Sequence, residues 1–485
     1  MRRWLGAWGL ALAATSIAAP ARAQLEPLQE GIPVGAWTFY PSLELRTRGE
    51  YRRHPVEIGR VLYGSQSPQA EAFASPLPEP VTGTDAPVDD QLVLGARSRL
   101  GVRATFDVLT AQFTLQDART WGTPVPATTS SDPTRRGELA PWEAWVELRS
   151  SVNDPWLWVR LGRQPLRWGD GRLVGDNDWS PRGNRFDAAR VHLEVGDVDV
   201  EAMAAFVAVP GLTSAQYPGG PRVEDGTGAQ LYGLTAAWPV LPAFGVEGTF
   251  LARVVRDPVP AELARGDTLT ADVRFFGDDL GLRYAIEGAY QFGRVAGYGF
   301  NWDVRAFAAA AYVDWRTSLP ADLGFAVHGA YASGDGDGGQ QPGDTSRTLQ
   351  RFDPISPTTH EHHGLMDLYA WSNMFDAGLS ASGAPVDSLE VEVGYTFVGL
   401  AEPEGRWTSA NLIVVGAAEG NASRVLGHEV DVSVQWQPWE VFGVGVGYGA
   451  FVLGDGGQAI FAASGRGEDR DLLHYAYLQA ELQAP

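Results

Sequence analysis

The chain has 485 residues, a formal net charge of −22, 58 glycines, 17 tryptophans and no cysteine. The acidity argues against a nucleic-acid-binding protein, which needs clustered positive charge, and the absence of cysteine excludes disulfides, thiolate chemistry and a lipid-modified N-terminus. Because the mean hydropathy is slightly negative, a helical membrane protein is excluded as well.

The N-terminus has the pattern of a secretory signal peptide. Two arginines precede an apolar run over residues 5–19, and Ala21-Arg22-Ala23 has small residues where a signal peptidase requires them. We expect cleavage after residue 23, so that residues 1–23 form the signal peptide and the mature chain begins at Gln24. The apolar run is too short for a membrane-spanning helix. The sequence therefore predicts export to the periplasm, the outer membrane or the medium.

From residue 37 onward, apolar and polar side chains alternate with a period of two. In one stretch, Leu92, Leu94 and Leu100 share one parity, whereas Arg97 and Arg99 share the other. Strands that are apolar on one face and polar on the other are typical of transmembrane β-barrels, because lipid covers one face and water the other. The alternation thus predicts an all-β fold, a transmembrane antiparallel β-barrel.

The alternating segments define about eighteen strands, an even number that suits a bacterial single-chain barrel. The predicted strands are 37–54, 91–107, 110–118, 141–150, 156–164, 187–196, 197–208, 228–238, 243–256, 267–276, 281–293, 299–315, 321–333, 375–383, 388–399, 425–437, 440–453 and 470–482. Tight turns alternate with connections that are mostly long. We expect short periplasmic turns, long extracellular loops, both termini in the periplasm, and one domain over residues 24–485.

Parity also assigns side chains to the lumen. If Leu157 and Leu161 face lipid, then Trp158 and Arg160 face inward. The same reasoning predicts a set of inward arginines: Arg97, Arg99, Arg103, Arg190, Arg253, Arg274, Arg283 and Arg305. Arginine carries a permanent, planar charge that matches carboxylates, and in a narrow pore it attracts anions. The alternative is that these arginines pair with lumen glutamates and stiffen the wall. The expected partners are Glu44, Glu147, Glu194, Glu247 and Glu287.

The segment 164–186 is the predicted constriction of the lumen. It is long and rich in Gly, Asp and Arg, and glycines allow its backbone to fold inward. Its arginines would then lie near the narrowest point, with its aspartates as their partners. These residues are Arg163, Arg167, Arg172, Arg182 and Arg185, with Asp170, Asp176 and Asp178. The alternative is an external loop that its own ion pairs fold.

Three blocks of the sequence resemble the alginate-export family of outer-membrane barrels. The first is 161–175 (LGRQPLRWGDGRLVG), followed by Asp178-Trp179 and 185–190; the second lies in a long late loop, at 331–335, 352–354 and 364–373; the third is 427–432. The similarity spans nearly the whole mature chain in the same block order. It implies a monomeric pore in the Gram-negative outer membrane that exports an anionic polysaccharide through an arginine-rich lumen.

We therefore expect an outer-membrane channel that passes an alginate-like anionic polysaccharide or its fragments. A general diffusion porin for small organic solutes is the first alternative. An outer-membrane barrel enzyme is the weakest, because no GxSxG elbow and no set of serine, histidine and acid is evident. We expect no catalytic activity, no cofactor and no metal. The expected partners are anionic glycans or small anionic solutes, outer-membrane lipid and lipopolysaccharide, and periplasmic secretion components.

Overall fold

The computed structural model describes residues 30–56, 90–122, 138–206, 229–241, 243–255, 265–297, 300–336, 348–358, 360–412, 414–464 and 470–485. The predicted signal peptide, residues 1–23, lies outside the described residues and stays a prediction. Among the residues that the structure describes, no helix is both long and apolar enough to cross a membrane.

Eighteen long strands form one antiparallel sheet, and its last strand, β22, pairs with its first, β2. The ring consists of β2 (Trp37–Arg53), β3 (Asp90–Phe106), β4 (Leu109–Trp121), β5 (Glu138–Arg149), β6 (Leu157–Gln164), β7 (Phe186–Val195), β8 (Val198–Phe206), β9 (Ala229–Leu241), β10 (Phe244–Val255), β11 (Arg265–Asp279), β12 (Leu282–Gly297), β13 (Phe300–Arg316), β14 (Gly324–Ala332), β16 (Met374–Val386), β17 (Leu389–Gly399), β20 (Val425–Trp439), β21 (Phe442–Leu453) and β22 (Leu472–Ala484). The prediction of a closed eighteen-stranded barrel is confirmed.

Shorter elements lie beside this ring. Strand β1 (Ile32–Val34) pairs with the start of β2, and β15 (Thr348–Leu349) pairs with β13. Strands β18 (Trp407–Thr408) and β19 (Val414–Gly416) form a small antiparallel ribbon. Helix α1 (Asp455–Ala463) follows β21. These elements belong to the ends of the barrel and do not interrupt its wall.

The connections differ in length at the two ends of the barrel. At the end that carries both termini, most neighbouring strands are joined by two-residue turns, as at Leu280-Gly281, where both residues have positive φ (53° and 80°) as a type I′ hairpin requires. At the other end the connections are mostly long, and the exception is the two-residue connection between β12 and β13. Short periplasmic turns and long extracellular loops therefore set the orientation of the barrel.

The two faces of the wall follow the predicted parity. On β3, Leu100 exposes 64% of its surface, whereas Arg97 exposes 2%. Val393 on β17 is likewise exposed at 47%. Because the outward rows are apolar and the inward rows are largely polar, the outer wall matches the hydrocarbon of a bilayer and the inner wall does not.

Exposed aromatic side chains form a belt at each end of the outer face. Those near the periplasmic turns are Phe106, Trp238, Phe275, Trp315, Phe325, Trp436 and Trp439. Those near the extracellular loops are Tyr51, Trp121, Phe206, Tyr232, Tyr290, Phe307, Tyr395 and Tyr448. Aromatic rings favour the membrane–water interface, so the two belts mark the height of the bilayer.

The register predicts the effect of a charge on each face. Leu100→Arg places a cation against hydrocarbon and should destabilise the barrel by about 2–4 kcal/mol, because the residue lies near the middle of β3. Thr105→Arg places the same side chain in the lumen and should cost less than about 1 kcal/mol. Urea unfolding in lipid vesicles measures both free energies. Equal costs at the two positions would contradict the register.

Candidate functional site

The connection between β6 and β7, which we call L3 (residues 165–185), crosses the lumen. Its Asp170 binds Arg274 on β11, and its Asp178 binds Arg97 on β3. Seven strands separate β3 from β11 in one direction around the ring and nine in the other, so these two contacts lie on opposite walls. The prediction that this loop folds inward is confirmed, and its role as the constriction stays a prediction.

A carboxylate of L3 forms the contact with the first wall. Arg97 donates to both oxygens of Asp178, with Nη1–Oδ1 and Nη2–Oδ2 distances of 3.0 Å. Arg99 Nη1 donates to Asp178 Oδ1 at 2.8 Å. Glu44 accepts from Arg97 Nε at 2.6 Å and from Arg99 Nη1 at 3.1 Å. Two carboxylates therefore balance two guanidinium groups, and the Arg97 side chain is 1% exposed.

Two arginines of β2 bind the backbone of the same part of L3. Arg46 Nη1 donates to the carbonyl oxygen of Asp178 at 2.8 Å, and Arg48 Nη1 donates to that of Trp179 at 2.9 Å. The Arg48 guanidinium also lies 3.8 Å from the centroid of the Trp179 ring. These contacts fix the path of the loop backbone as well as its charge.

The surrounding charges shift the acidity of Asp178. Burial alone would raise its pKa, but the positive charges of Arg97, Arg99 and Arg46 outweigh burial and hold the pKa well below its usual range. The ionised form therefore contributes stability at every pH above the unfolded value of about 3.9, and this contribution is lost only as the pH falls through the lower folded value. The contact withstands mild acid.

The opposite wall binds L3 through a second set of ion pairs. Arg274 Nη2 donates to Asp170 Oδ1 at 2.6 Å, and its Nη1 donates to Glu247 Oε2 at 3.1 Å. Nearby, Arg172 of L3 lies 3.6 Å from Glu287 of β12, measured from Nε to Oε2. All of these charged groups are largely buried, so they hold the loop and are shielded from a passing solute.

A second loop packs against L3 inside the lumen. This segment, residues 348–373 of the connection between β14 and β16, is called L7. Gly175 N donates to the Ser356 carbonyl at 2.8 Å, and Thr358 N donates to the Gly171 carbonyl at 2.8 Å. A β-carbon on Gly175 would lie 2.1 Å from Thr358 Oγ1, so this approach requires glycine. The two backbones thus form a short ribbon.

Side chains also join the two loops. The rings of Trp179 and His360 stack with centroids 3.6 Å apart. Arg167 forms a bidentate pair with Glu361, with Nη1–Oε1 and Nη2–Oε2 distances of 2.8 and 2.5 Å. We call L3 and L7 together the partition, because they pack on each other and contact opposite walls of the lumen.

The partition is fastened to the remaining wall through L7. Arg253 of β10 lies 2.6 Å from Asp353 Oδ2, and Gln291 Nε2 of β12 donates to the Asp353 carbonyl at 2.6 Å. On the other side, Met366 N donates to Glu429 Oε1 of β20 at 2.9 Å. Contacts therefore run around much of the ring, and the partition is built into the barrel.

Below the partition, arginines and aromatic rings line the wall near the periplasmic end. Trp158 stacks on His192 with centroids 5.1 Å apart. Arg160 Nε donates to Glu147 Oε2 at 2.8 Å, and its guanidinium lies 5.1 Å from the Trp158 ring. Arg190 pairs with Glu201 in the same way, at 2.7 Å. Trp158, Arg160 and Arg190 thus face inward, as parity predicts.

Two further arginines near this end are more accessible. Arg103 on β3 is exposed and lies 4.8 Å from the centroid of the Tyr40 ring. The Arg149 side chain on β5 is 38% exposed, and its Nε donates to Glu147 at 2.6 Å. Within L3, Arg185 lies 6.0 Å from the Trp142 ring, and Arg182 is exposed.

The expected lumen position of Arg163 is wrong. Its register partners are Ala144 and Asp187, and in this register it shares the parity of Leu161, which is 52% exposed on the outer face. Arg163 pairs with Asp187 there, at 2.7 Å, near the extracellular edge. Parity within β6 already assigns Arg163 to the same face as Leu161. The lumen position was expected only because Arg163 lies beside the arginine-rich segment 164–186.

Arg305 was also expected in the lumen, and this expectation is wrong. Its neighbour Val304 is 1% exposed and faces inward, whereas the Arg305 side chain is 65% exposed on the outer face. Near the extracellular edge, the loops cover the inner wall, so an inward position there can be apolar. The rule that apolar strand residues face lipid therefore fails at the extracellular ends of the strands.

Arg167 lies 3.9 Å from Asp176 of the same loop, as expected, but the other partners of the loop charges differ from those expected. Asp170 and Asp178 bind arginines of the wall, and Arg167 binds Glu361 of L7 at 2.5 Å. Of the glutamates expected as partners, Glu44, Glu147, Glu247 and Glu287 pair with arginine. The partner of Arg190 is Glu201. The alternation of β2 would also have identified Arg46 and Arg48, whereas no local pattern identifies Glu361.

No group of three or more histidine, aspartate or glutamate side chains within the described ranges has an arrangement suited to a metal ion. Among the histidines of L7, His360 binds Asp367 through Nδ1 at 2.9 Å and stacks on Trp179.

The closed barrel, its two aromatic belts and its inward-folded loops define an outer-membrane channel. A family model described as Alginate export matches residues 78–466. The match covers most of the chain, which therefore belongs to the alginate-export family. No curated protein matches the chain.

Solved structures of similar fold include proteins from two bacteria. The Pseudomonas aeruginosa protein OccK9 (OpdG) superposes with a TM-score of 0.55 and 11% identity, over 92% of this chain and 98% of that one. Acinetobacter baumannii OccAB2 has a TM-score of 0.53 and 10% identity, over 91% and 97%. Pseudomonas aeruginosa OccK11 (OpdR) has a TM-score of 0.51 and 11% identity, over 92% of this chain and 96% of that one. At these identities the likeness concerns the fold alone.

Replacing Asp178 tests how the partition is held. Asp178→Asn leaves the buried Arg97 and Arg99 with one carboxylate fewer, but the Asp178 side chain is itself 46% exposed, so we expect a loss of about 1–3 kcal/mol in unfolding free energy and a larger, noisier single-channel conductance. Asp187→Asn is the matched control, because it breaks a partly exposed pair on the outer face and should cost at most about 1 kcal/mol. Similar effects of the two substitutions would contradict this role of Asp178.

Proposed function

We propose that this channel passes an alginate-like anionic polysaccharide, or its fragments, across the outer membrane. Membership of the alginate-export family supports the substrate class. The structural support is the pair of accessible guanidinium groups at the periplasmic end of the lumen, on Arg103 and Arg149. A polyuronate carries a carboxylate on every sugar, and guanidinium is the side chain that matches carboxylates best.

In this proposal the arginines have two distinct roles. Buried arginines, such as Arg97 and Arg274, are neutralised by carboxylates and keep the partition in place. Accessible arginines, such as Arg103 and Arg149, meet the solute. Their field acts locally, because charges farther away than a Debye length of about 8 Å are screened, so the net charge of −22 does not oppose it.

The aromatic rings near the same end give the solute a second kind of contact. Trp158 lies between the guanidinium groups of Arg160 and Arg190, at 5.1 and 5.2 Å from its centroid. A sugar ring has apolar C–H faces as well as its carboxylate, and a wall of indole and guanidinium groups suits both. We therefore include Trp158, Arg160 and Arg190 in the proposed path, together with Arg167 and Arg185 of L3, whereas the buried Arg172 and Asp170 hold the loop.

The remaining features of the proposal follow from the family and the outer face. We propose a monomer that is not an enzyme, with the signal peptide removed after residue 23. Periplasmic secretion components and outer-membrane lipid are its proposed neighbours.

A general diffusion channel for small organic solutes is the second candidate. It is favoured by the extensive pairing of the lumen arginines: Glu44, Glu147, Glu201 and Glu247 each bind at least one of them. In a balanced lumen, size and not charge would select the solute.

Selectivity of the open channel separates the two candidates. The double variant Arg103→Gln/Arg149→Gln removes two accessible charges but leaves Glu147 paired with Arg160. Two nearby charges contribute on the order of 1 kcal/mol, so we expect the anion-to-cation permeability ratio, measured from reversal potentials in a salt gradient, to fall about fivefold. Block by oligouronates should weaken in parallel.

The matched control removes two arginines from the outer face, as Arg119→Gln/Arg163→Gln. It changes the net charge by the same amount and should leave the permeability ratio and the block unchanged. A wild-type channel without anion preference or oligouronate block would refute the proposed substrate class and favour the general diffusion channel.

A further inference from the structure

The outer face carries a row of basic and hydroxylated side chains on one sector of its extracellular edge. We define the rim patch as Arg53 on β2, Tyr395 on β17, His428 on β20, Tyr448 on β21 and His474 on β22. Sheet register aligns it, because His428 lies opposite Val452 of β21, and His474 lies opposite Ala450 of β21 and Arg53 of β2. His474 and Arg53 therefore lie side by side on neighbouring strands, and His428 lies on the far side of β21, offset from His474 by two residues.

Parity places this row outside the barrel. Along β20, His428 shares its face with Val430, which is 48% exposed, and along β22, His474 shares its face with Leu478, which is 58% exposed. The strands end toward the extracellular loops just beyond these histidines. The rim patch is therefore at the outer edge of the lipid-facing wall and is separate from the lumen.

Two equivalent hydrogen bonds orient the imidazole rings. Tyr395 Oη lies 2.8 Å from His428 Nδ1, and Tyr448 Oη lies 2.7 Å from His474 Nδ1. A phenol hydroxyl can donate or accept, so it supports both the neutral ring and the protonated ring. With Nδ1 engaged by tyrosine, a protonated ring has its Nε2–H group for a second acceptor. Two copies of one arrangement on neighbouring hairpins point to a recognition feature.

Among the described residues, the histidines of the rim patch differ in their partners from the outward arginines elsewhere on the edge. Elsewhere, outward arginines are paired with carboxylates: Arg119 with Asp117 at 3.0 Å, Arg163 with Asp187 at 2.7 Å, and Arg294 with Asp303 at 3.0 Å. The two histidines of the rim patch instead bind tyrosine. Two described carboxylates border the patch: Asp90, opposite Arg53, accepts from Tyr51 at 2.5 Å, and the exposed Asp471 lies three residues before His474.

Below the rim patch, the same strands present an apolar surface. Its members are Val393, Val430, Val432, Val446 and Leu478, each at least 39% exposed. A ligand that contacts both the rim patch and the apolar surface below it has an anionic headgroup for the histidines and Arg53, and acyl chains for the apolar surface. Strand spacing separates His428 from His474 by roughly 10–12 Å, which exceeds one phosphate and suits a phosphorylated sugar headgroup.

We propose that the rim patch binds a phosphorylated glycolipid of the outer leaflet, with its phosphates on His428, His474 and Arg53. The inference is independent of the solute that the channel passes. Bound glycolipid would fasten strands β17, β20, β21, β22 and β2, the sector where the ring closes.

The test uses purified barrel, refolded in detergent without lipid, and bisphosphorylated lipid A as the probe. Binding is measured by native mass spectrometry and by the temperature at which the folded, fast-migrating gel band is lost. We expect the triple variant Arg53→Gln/His428→Ala/His474→Ala to bind at least about tenfold more weakly, as expected when charge-assisted contacts are lost. The matched control, Arg119→Gln/Arg163→Gln/Arg294→Gln, should change the affinity less than about twofold.

Two further arms make the outcome decisive. Dephosphorylated lipid A should bind the wild type at least about tenfold more weakly, and millimolar inorganic phosphate should not raise its thermal stability. The variant Tyr395→Phe/Tyr448→Phe keeps the aromatic rings but removes the hydroxyl groups that orient the two histidines. It should fold, and it should bind lipid A about threefold to tenfold more weakly. Equal weakening by the control triple, or equal binding of dephosphorylated lipid, would overturn the proposal. If the first triple variant does not fold, the tyrosine variant decides by the same comparison.

Discussion

The architecture of this channel depends on the ion pairs that hold L3 across the lumen. Asp178 binds Arg97 and Arg99 on one wall, and Asp170 binds Arg274 on the opposite wall. Removing such charges from water is costly, so these pairs add little net stability compared with an apolar contact. Their value lies in geometry, because a carboxylate between two guanidinium groups has few alternative positions. L7 then packs on a loop whose course is already determined.

The period-two alternation of apolar and polar residues gives each strand one face for lipid and one face for the lumen. The outward rows contact lipid, and the inward rows contact either water or the partition. The lumen arginines are consequently divided by burial. Arg97 is buried within the wall–loop contact, whereas Arg103 and Arg149 remain accessible near the periplasmic end. A count of arginines therefore overstates the positive charge that a solute meets, and the accessible groups near the mouth determine the local potential.

Much of the fold was predictable from the sequence, because each strand encodes its own period and faces. The eighteen strands, their ends to within a few residues and the inward course of L3 agree with the structure. Contacts between distant loops were not predictable. Arg167 pairs with Glu361, a residue 194 positions away in the chain, and no periodicity relates the two. The errors at Arg163 and Arg305 arose near the extracellular edge, where loops cover the inner wall and salt bridges occur on the outer one.

A double-mutant cycle between Asp178 and Arg97 tests the central claim most directly. The unfolding free energies of wild type, Asp178→Asn, Arg97→Gln and the double variant are measured in urea with the barrel in lipid vesicles. If L3 crosses the lumen and its carboxylate binds β3, the coupling free energy should be about 1 kcal/mol or more, since residues in one hydrogen-bonded network are not additive. Additivity within about 0.5 kcal/mol would show that the two residues do not meet and would contradict the account.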